Sequence, residues 1–235
     1  MAKTSECPRC AANGRDTRRD NLIDFGRGHY HCLACQYHIF PKHYVKPEVK
    51  NDVPKALLPS DFTREVPASA FKWLLQYGLP WSYWKDSVGY SPGQERLVFT
   101  VGQPTAFSIG RYVGKDKQRK WFVWGDSHKQ AFPVSNPLAV APNGPIVLVE
   151  DWISSHKVGQ VTLTLPLFGT QVHPCHIKYL IAQQKPVVLW LDADQRGSIM
   201  GKAVWLQGLT GLPVSFVSTK NDPKELSAKE INETL

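Results

Sequence analysis

The chain has 235 residues, 42% of them apolar and 20% charged, with a formal net charge of +8. These are globular values, and the length gives one or two domains with room for a real core. A polar amino-terminal stretch without a secretory h-region, and no apolar run near the roughly 18–20 residues of a membrane span, argue against a leader or a membrane segment.

The basic excess lies wholly before residue 141, and residues 141–235 are charge-neutral. That split suggests a polyanion held by one part and chemistry done in another. A merely soluble basic protein is the plainer alternative.

Cys7-Pro-Arg-Cys10 and Cys32-Leu-Ala-Cys35 are two C-x-x-C pairs separated by 21 residues, slightly beyond the usual zinc-site spacing. Four of the five cysteines paired in this way fit a reducing compartment and metal binding better than disulfides. Four thiolates close a tetrahedral structural site and leave no open position for catalysis. Between the pairs lie Arg15, Arg18, Arg19 and Arg27, then His29-Tyr30-His31. Such a basic, aromatic-bearing ribbon is a candidate for contact with a nucleic-acid strand, although any single arginine there serves equally as a solvated surface charge. Residues 41–60 hold four Pro and four Lys, the composition of a semi-extended linker.

Residues 67–77 have helical periodicity, with Ala70, Phe71, Leu74 and Leu75 on one face and Gly78 as a stop. Residues 80–85 read as a second short helix. Residues 96–101 and 105–109 read as a hairpin across Gly102-Gln-Pro. Residues 111–129 are rich in Lys and Arg, with Trp121, Phe122 and Trp124 interleaved. They suit either a solvated strand edge or a phosphate-tracking groove.

From residue 141 onward, strands are expected near 145–150, 161–165, 186–191 and 213–217. Helices are expected at 152–159, at 197–209 and from Pro223 to about Glu233. This alternation predicts a parallel α/β sheet with helices on its faces. Acids stand at the carboxyl ends of three strands: Glu150-Asp151, Asp192-Ala-Asp194 and Asp222. Open α/β sheets bind ligands at those ends. Carboxylates one residue apart repel unless a cation or shared proton relieves them, and hard divalent ions suit oxygen ligands. Gly197-Ser-Ile-Met-Gly201-Lys202-Ala203 lacks the spacing and hydroxyl of a Walker A loop.

In these motifs the chain resembles primases of the DnaG type, the bacteriophage branch in particular, over nearly its full length. The four-cysteine ribbon, with its Gly28-His29 lead-in to Cys32, resembles their zinc-binding domain. Residues 89–111 and Lys120-Trp-Phe-Val-Trp-Gly125 resemble the basic subdomain of their polymerase core. Glu150, Asp192, Asp194 and Gly197 resemble the Toprim signature, and Lys220-Asn-Asp222-Pro223 its third acidic motif. Two positions depart from the pattern. Asp151 stands where the first motif usually has Gly, and Lys224 stands where bacterial members often have a second Asp.

The resemblance implies an α/β chain in four parts: a zinc-binding ribbon (1–40), a linker (41–60), a basic α+β subdomain (61–140) and a Toprim subdomain (141–235) with a Rossmann-like parallel sheet. The implied activity is template-directed synthesis of short RNA primers on single-stranded DNA from ribonucleoside triphosphates, by two-metal nucleotidyl transfer. Cys7, Cys10, Cys32 and Cys35 would hold a structural Zn²⁺. Glu150, Asp192, Asp194 and Asp222 would be catalytic, the first three holding Mg²⁺ or Mn²⁺, with Glu150 either a ligand or a general base. Arg96, Arg111 and Lys120 would meet triphosphate and template phosphates, and Arg27, His29 and Tyr30 would read the template. With no helicase motif in view, the expected partner is a separate replicative helicase. The expected location is cytoplasmic, in a bacterial host cell if the chain is phage-encoded. The alternatives are a RecR-like DNA-binding recombination mediator, which also joins a four-cysteine zinc site to a Toprim fold, and a Toprim nuclease.

Overall fold

The structure is a computed structural model that describes residues 3–24, 30–32, 34–35, 37–39, 56–116, 118–136 and 144–235, with Arg196 described in its backbone only. The chain divides into two compact units, 1–53 and 54–235.

The first unit is a small antiparallel ribbon, with β1 (Lys3–Ser5), α1 (Pro8–Ala11), β2 (Leu22–Asp24), β3 (Tyr30–Cys32) and β4 (His38–Ile39). The strands lie in the order β1-β2-β3-β4. Pro8 opens α1, where its fixed φ and missing N–H cost nothing. The interior consists of Cys7, Cys10, Cys32 and Leu22, flanked by Tyr30, Cys35, Tyr37 and Ile39. Sulfur takes the place that aliphatic side chains fill in a larger domain. Asp16 is buried beside it; its carboxylate accepts from the N–H groups of Cys7 at 2.6 Å and Asp20 at 3.1 Å. That acid fixes the entry to the first cysteine pair.

The second unit opens with α2 (Ala68–Leu75) and α3 (Trp81–Trp84). An antiparallel meander follows: β5 (Val88–Ser91), β6 (Arg96–Val101), β7 (Phe107–Tyr112) and β8 (Trp121–Gly125). The hairpin between β6 and β7 turns over residues 102–106, so β7 starts two residues later than its sequence suggests. Ala106 N–H still closes the loop on the Val101 carbonyl at 2.8 Å.

A parallel sheet completes the unit. It comprises β9 (Ile146–Val149), α4 (Trp152–Val158), β10 (Leu163–Pro166), α5 (Pro174–Gln183), β11 (Val187–Trp190), α6 (Arg196–Thr210), β12 (Val214–Val217) and α7 (Ala228–Thr234). The strand order is β10-β9-β11-β12. β9 and β11 are buried along their whole length, as a sheet covered on both faces requires. Ile146, Leu148, Val187 and Leu189 face the core shared with Leu180 of α5 and with Ile199, Ala203 and Leu206 of α6. Their neighbours Val147, Val149, Val188 and Trp190 face Val158 of α4 and Ile231 of α7.

The terminal helix differs from its sequence expectation. Pro223–Glu225 forms only a 3-10 turn, and α7 begins afresh at Ala228. Asp222 and Ser227 each start a capping box, with Glu225 and Glu230 reaching back. Two caps five residues apart divide the segment into two pieces.

The antiparallel and parallel halves are joined through α4. Trp152 and Ile153 of α4 are buried among Trp84, Leu97, Phe99 and Phe107 of the first half, and Val134 pairs with Thr164 of β10 in an isolated bridge. His156 of α4 is enclosed by Trp84, Trp152 and Tyr83, whose hydroxyl lies 2.7 Å from its Nδ1. Burial pushes this imidazole down to about 3, so it sits in the core as a neutral packing group.

Candidate active site and four-cysteine cluster

In the ribbon, Cys7, Cys10, Cys32 and Cys35 bring their sulfurs within 4.8 Å of one another. Cys7 and Cys35 are 3.6 Å apart, as are Cys10 and Cys32. All four are free thiols, too far apart for a disulfide. Tetrahedral Zn–S bonds of about 2.3 Å place sulfurs about 3.8 Å apart, so the cluster fits zinc. Burial and the neighbouring sulfurs push Cys10 up to about 12; a bound cation supplies the charge that lets such a thiol ionise. Tyr30 lies on β3, opposite Asp24 and Ile39. Arg27 and His29, expected beside it as template readers, lie outside the described residues.

The second unit builds its site where the strand order reverses. β9 pairs with β10 on one side and β11 on the other, so the carboxyl ends of β9 and β11 flank a topological switch point. Glu150 leaves β9 there, and Asp192 leaves β11. The Glu150 carboxylate accepts from the Asp192 N–H at 3.0 Å. Asp222, from the end of β12, accepts from the Ala193 N–H at 3.2 Å. Asp151 caps α4 through Ser154, whose N–H and hydroxyl both donate to it at 2.9 Å. Asp194 lies exposed on the short 3-10 turn before α6, where Gln195 donates to it at 3.3 Å. The sequence places all five of these acids at strand ends, and the resemblance gives four of them, Glu150, Asp192, Asp194 and Asp222, a catalytic role. Neither shows that Asp151 and Lys224 meet the others: the Lys224 ammonium lies 3.1 Å from Asp151, 3.2 Å from Asp192 and 2.8 Å from Asp222.

Glu150, Asp151, Asp192 and Asp222 form one side of a cavity of about 480 Å³, and Asp194 is not part of its lining. Facing them are Arg111 and Lys120 of the antiparallel half, with Trp121, Tyr77 and Phe168. Arg111 and Trp121 are cross-strand partners in β7 and β8. The Arg111 guanidinium lies 5.0 Å from the Trp73 ring centroid and 5.5 Å from that of Trp121, whose rings meet edge to face at 6.3 Å, so the two indoles form a corner against which the cation rests. Arg96 is placed differently. Its guanidinium is buried and donates to the carbonyls of Gly110, Arg119 and Lys120, tying the 112–120 loop to the sheet. It does not line the cavity.

Burial raises the Glu150 carboxyl to about 7, helped by the Asp192 charge beside it. Burial also raises Asp192, to about 6, although Lys224 opposes the shift. At Asp222 the order reverses: burial acts upward, but Lys224 and the Ala193 N–H hold the carboxyl below its usual range. Lys224 itself is driven up by Asp151, Asp222 and Asp192 against its own burial, and stays charged. Asp192 Oδ1 is buried with no hydrogen-bond partner.

A test follows from Glu150. A carboxyl raised in the fold keeps its proton after the unfolded chain has lost its own, so its contribution to stability declines as pH rises from about 4.5 to about 7. His156 and His176, pushed down to about 3 and about 4 by burial, act with the opposite sign over part of that window. The comparison therefore has to be differential. The melting temperature of Glu150→Gln, relative to the parent and without added divalent ions, is expected to rise through that window and level off above it. A difference that does not change with pH would contradict the buried, crowded environment described for Glu150.

The ribbon, the antiparallel meander and a parallel sheet with acids at its switch point together make the architecture of a zinc-ribbon and Toprim-like chain. No family model and no curated protein matches the sequence. Solved structures do match the fold. The crystal structure of the Aquifex aeolicus primase, zinc-binding and RNA polymerase domains, aligns with a TM-score of 0.57 and 17% identity. The alignment covers 72% of this chain and 55% of that one, so this chain spans about half the length of that relative. The primase fragment of the bacteriophage T7 primase-helicase protein aligns over 100% of this chain and 98% of its own, at 15% identity and a TM-score of 0.44. At 17% identity the Aquifex likeness is one of fold, and it is to the same group of proteins that the motifs resemble.

Proposed function

We propose that this chain is a DNA primase, a nucleotidyltransferase that makes short RNA primers on single-stranded DNA. The observation that carries the reading is the cavity itself. A carboxylate cluster at a topological switch point faces an arginine and a lysine across a cavity of about 480 Å³, a volume in the range of small-molecule sites. The fold shared with the Aquifex primase domains supports it.

The carboxylates suit a hard divalent ion. Asp192 Oδ1 is a buried acceptor without a partner, and Glu150 is raised by burial and by a neighbouring charge that a cation would relieve. The carboxylates do not close to the spacing that the cysteines reach, among the described residues. Mg²⁺ tolerates that, because it keeps several waters and needs only one or two carboxylates plus substrate phosphates. Glu150, Asp192 and Asp194 would hold it. A bound divalent ion would sharpen the attacking 3′-hydroxyl and neutralise charge developing on the α-phosphate. Arg111, resting against Trp73 and Trp121, and Lys120 would engage the triphosphate from the opposite wall and set it in line. In this division of labour, the ribbon and the basic half hold the template while the acidic half does the chemistry.

The test is incubation of the full chain with single-stranded DNA, ribonucleoside triphosphates and Mg²⁺ or Mn²⁺. Oligoribonucleotides whose sequence follows the template are expected. Shortened DNA would make the chain a nuclease, and binding without either product a non-catalytic DNA-binding protein; both outcomes overturn the proposal.

A further inference from the structure

Among the described residues Lys224 is the one that touches three of the acids, each from a different strand end. Its ammonium has three N–H donors and meets three carboxylate oxygens, one each from Asp151, Asp192 and Asp222. No donor is left over. The side chain is only 19% exposed, in the floor of the cavity that holds Glu150. Its backbone is fixed as well: Pro223 is buried, and Asp222 and Glu225 close the 3-10 turn in a capping box. A lysine so placed has given up its side-chain freedom on folding, and it does not swing away without leaving three carboxylates uncompensated.

Asp192 divides the acidic cluster in two. Its Oδ2 belongs to Lys224, while its Oδ1 is buried and without a partner. On the Lys224 side, Asp151 and Asp222 are occupied: each accepts from the ammonium and from a backbone N–H. On the other side stand Glu150, whose Oε1 takes the Asp192 N–H, and the exposed Asp194. Three carboxylate oxygens from three segments surround one point at the distances of an ammonium, 3.1, 3.2 and 2.8 Å, and the cation at that point belongs to the chain.

We propose that Lys224 is a built-in cation that permanently fills one cation position of this cluster, so that the site takes a single divalent ion, on the side of Glu150, Asp194 and Asp192 Oδ1. The chain thereby carries as covalent structure a charge that would otherwise come from solution. Divalent ions in bulk set only the occupancy of the remaining position. The inference deepens the polymerase reading of the site and rests on it for its catalytic meaning, but its test does not use primer synthesis.

The test counts Mn²⁺ bound to the full chain, with the ribbon carrying its zinc, by equilibrium dialysis and electron paramagnetic resonance. The parent and Lys224→Met, which keeps the stem and removes the charge, are compared. The parent is expected to take a single Mn²⁺. Lys224→Met is expected to take a second, or to bind the first roughly ten- to a hundredfold more tightly, because a positive charge a few ångströms from the ion has gone. Without added metal Lys224→Met should melt below the parent, and saturating Mn²⁺ should raise it by more than it raises the parent. Lys224→Arg, which keeps the charge, is the control against a mere packing defect and should bind Mn²⁺ with the parent's stoichiometry. Two Mn²⁺ ions in the parent, or unchanged stoichiometry and affinity in Lys224→Met, would overturn the proposal. If Lys224→Met does not fold without metal, its refolding on Mn²⁺ supports the proposal and its failure to refold counts against it. A chain that makes primers yet binds two ions loses this inference alone. A chain that binds a single ion as described and makes no primers loses the polymerase reading alone.

Discussion

Replacing Asp192 by asparagine is expected to abolish primer synthesis while leaving the fold standing. Asparagine keeps the size of the side chain and one acceptor oxygen, but it loses the charge. The Asp192 N–H still donates to Glu150, since that bond is made by the backbone. Lys224 keeps Asp151 and Asp222. The folded chain loses a carboxylate that is itself uncomfortable, raised to about 6 by burial, so the melting temperature without added divalent ions should change little or rise. Catalysis has no such substitute. Charge stabilisation by a metal ion contributes several kcal/mol at the transition state, so a loss of about 10²-fold or more in rate follows. Asp194→Asn should lose activity similarly and cost still less stability, because its carboxylate is exposed. Glu150→Gln should also be inactive, and does not separate a ligand from a general base. The decisive measurement is ribonucleotide incorporation beside thermal unfolding. Normal incorporation by a less stable Asp192→Asn protein would sink the catalytic assignment.

Removing the ribbon's metal is expected to unfold the ribbon and nothing else. Its interior is made chiefly of the cysteines, with Leu22 the sole fully buried aliphatic side chain among the described residues of that cluster. A unit of that size does not bury enough apolar surface to hold itself together. Structural zinc contributes apparent binding free energies of about 10–16 kcal/mol in zinc-finger peptides, far more than the remaining contacts can replace. Purified without added metal, the chain should carry one zinc per molecule by elemental analysis. Cys32→Ser or a strong chelator should erase hydrogen-exchange protection in β1 to β4, while the protection of β9 and β11 survives. A zinc-free chain whose ribbon stays protected would refute this account.

The parallel half was the most legible part of the sequence. Val187 to Leu191 and Ile146 to Val149 are uninterrupted apolar runs, each cut off by an acid. A strand buried on both faces has no alternation to blur that signal. The cysteine pairs were legible for a similar reason, since the chemistry requires a fixed local spacing. Lys224 was visible only as a departure from an acidic pattern. Its contact with Asp151 spans 73 positions and depends on β9, β11 and β12 lying in that order, which no local window contains. Arg96 shows the opposite difficulty. Among the basic residues of the antiparallel half it read like Arg111 and Lys120, yet it turns inward to three carbonyls. Almost every residue of β6 is buried, so the strand has no polar face to mark which way a charge points. The terminal segment reads as one helix because Pro223 is a helix opener, whereas the capping box of Ser227 with Glu230 starts a second element five residues after Asp222.

Trp152 and Ile153 have a consequence for how the cavity is used. They come from the acidic half and are sealed into the core of the basic half, directly behind the slot that they also line. Prising the two walls apart would expose the largest rings of the unit to water. The slot therefore cannot yawn and shut like a mouth hinged between two lobes. On the polymerase reading proposed above, its shape would be set before a nucleotide enters. For the same reason the halves are not interchangeable parts. A chain cut near residue 140 would strip Trp152 and Ile153 from the core they help fill and leave both side chains bare on the other fragment.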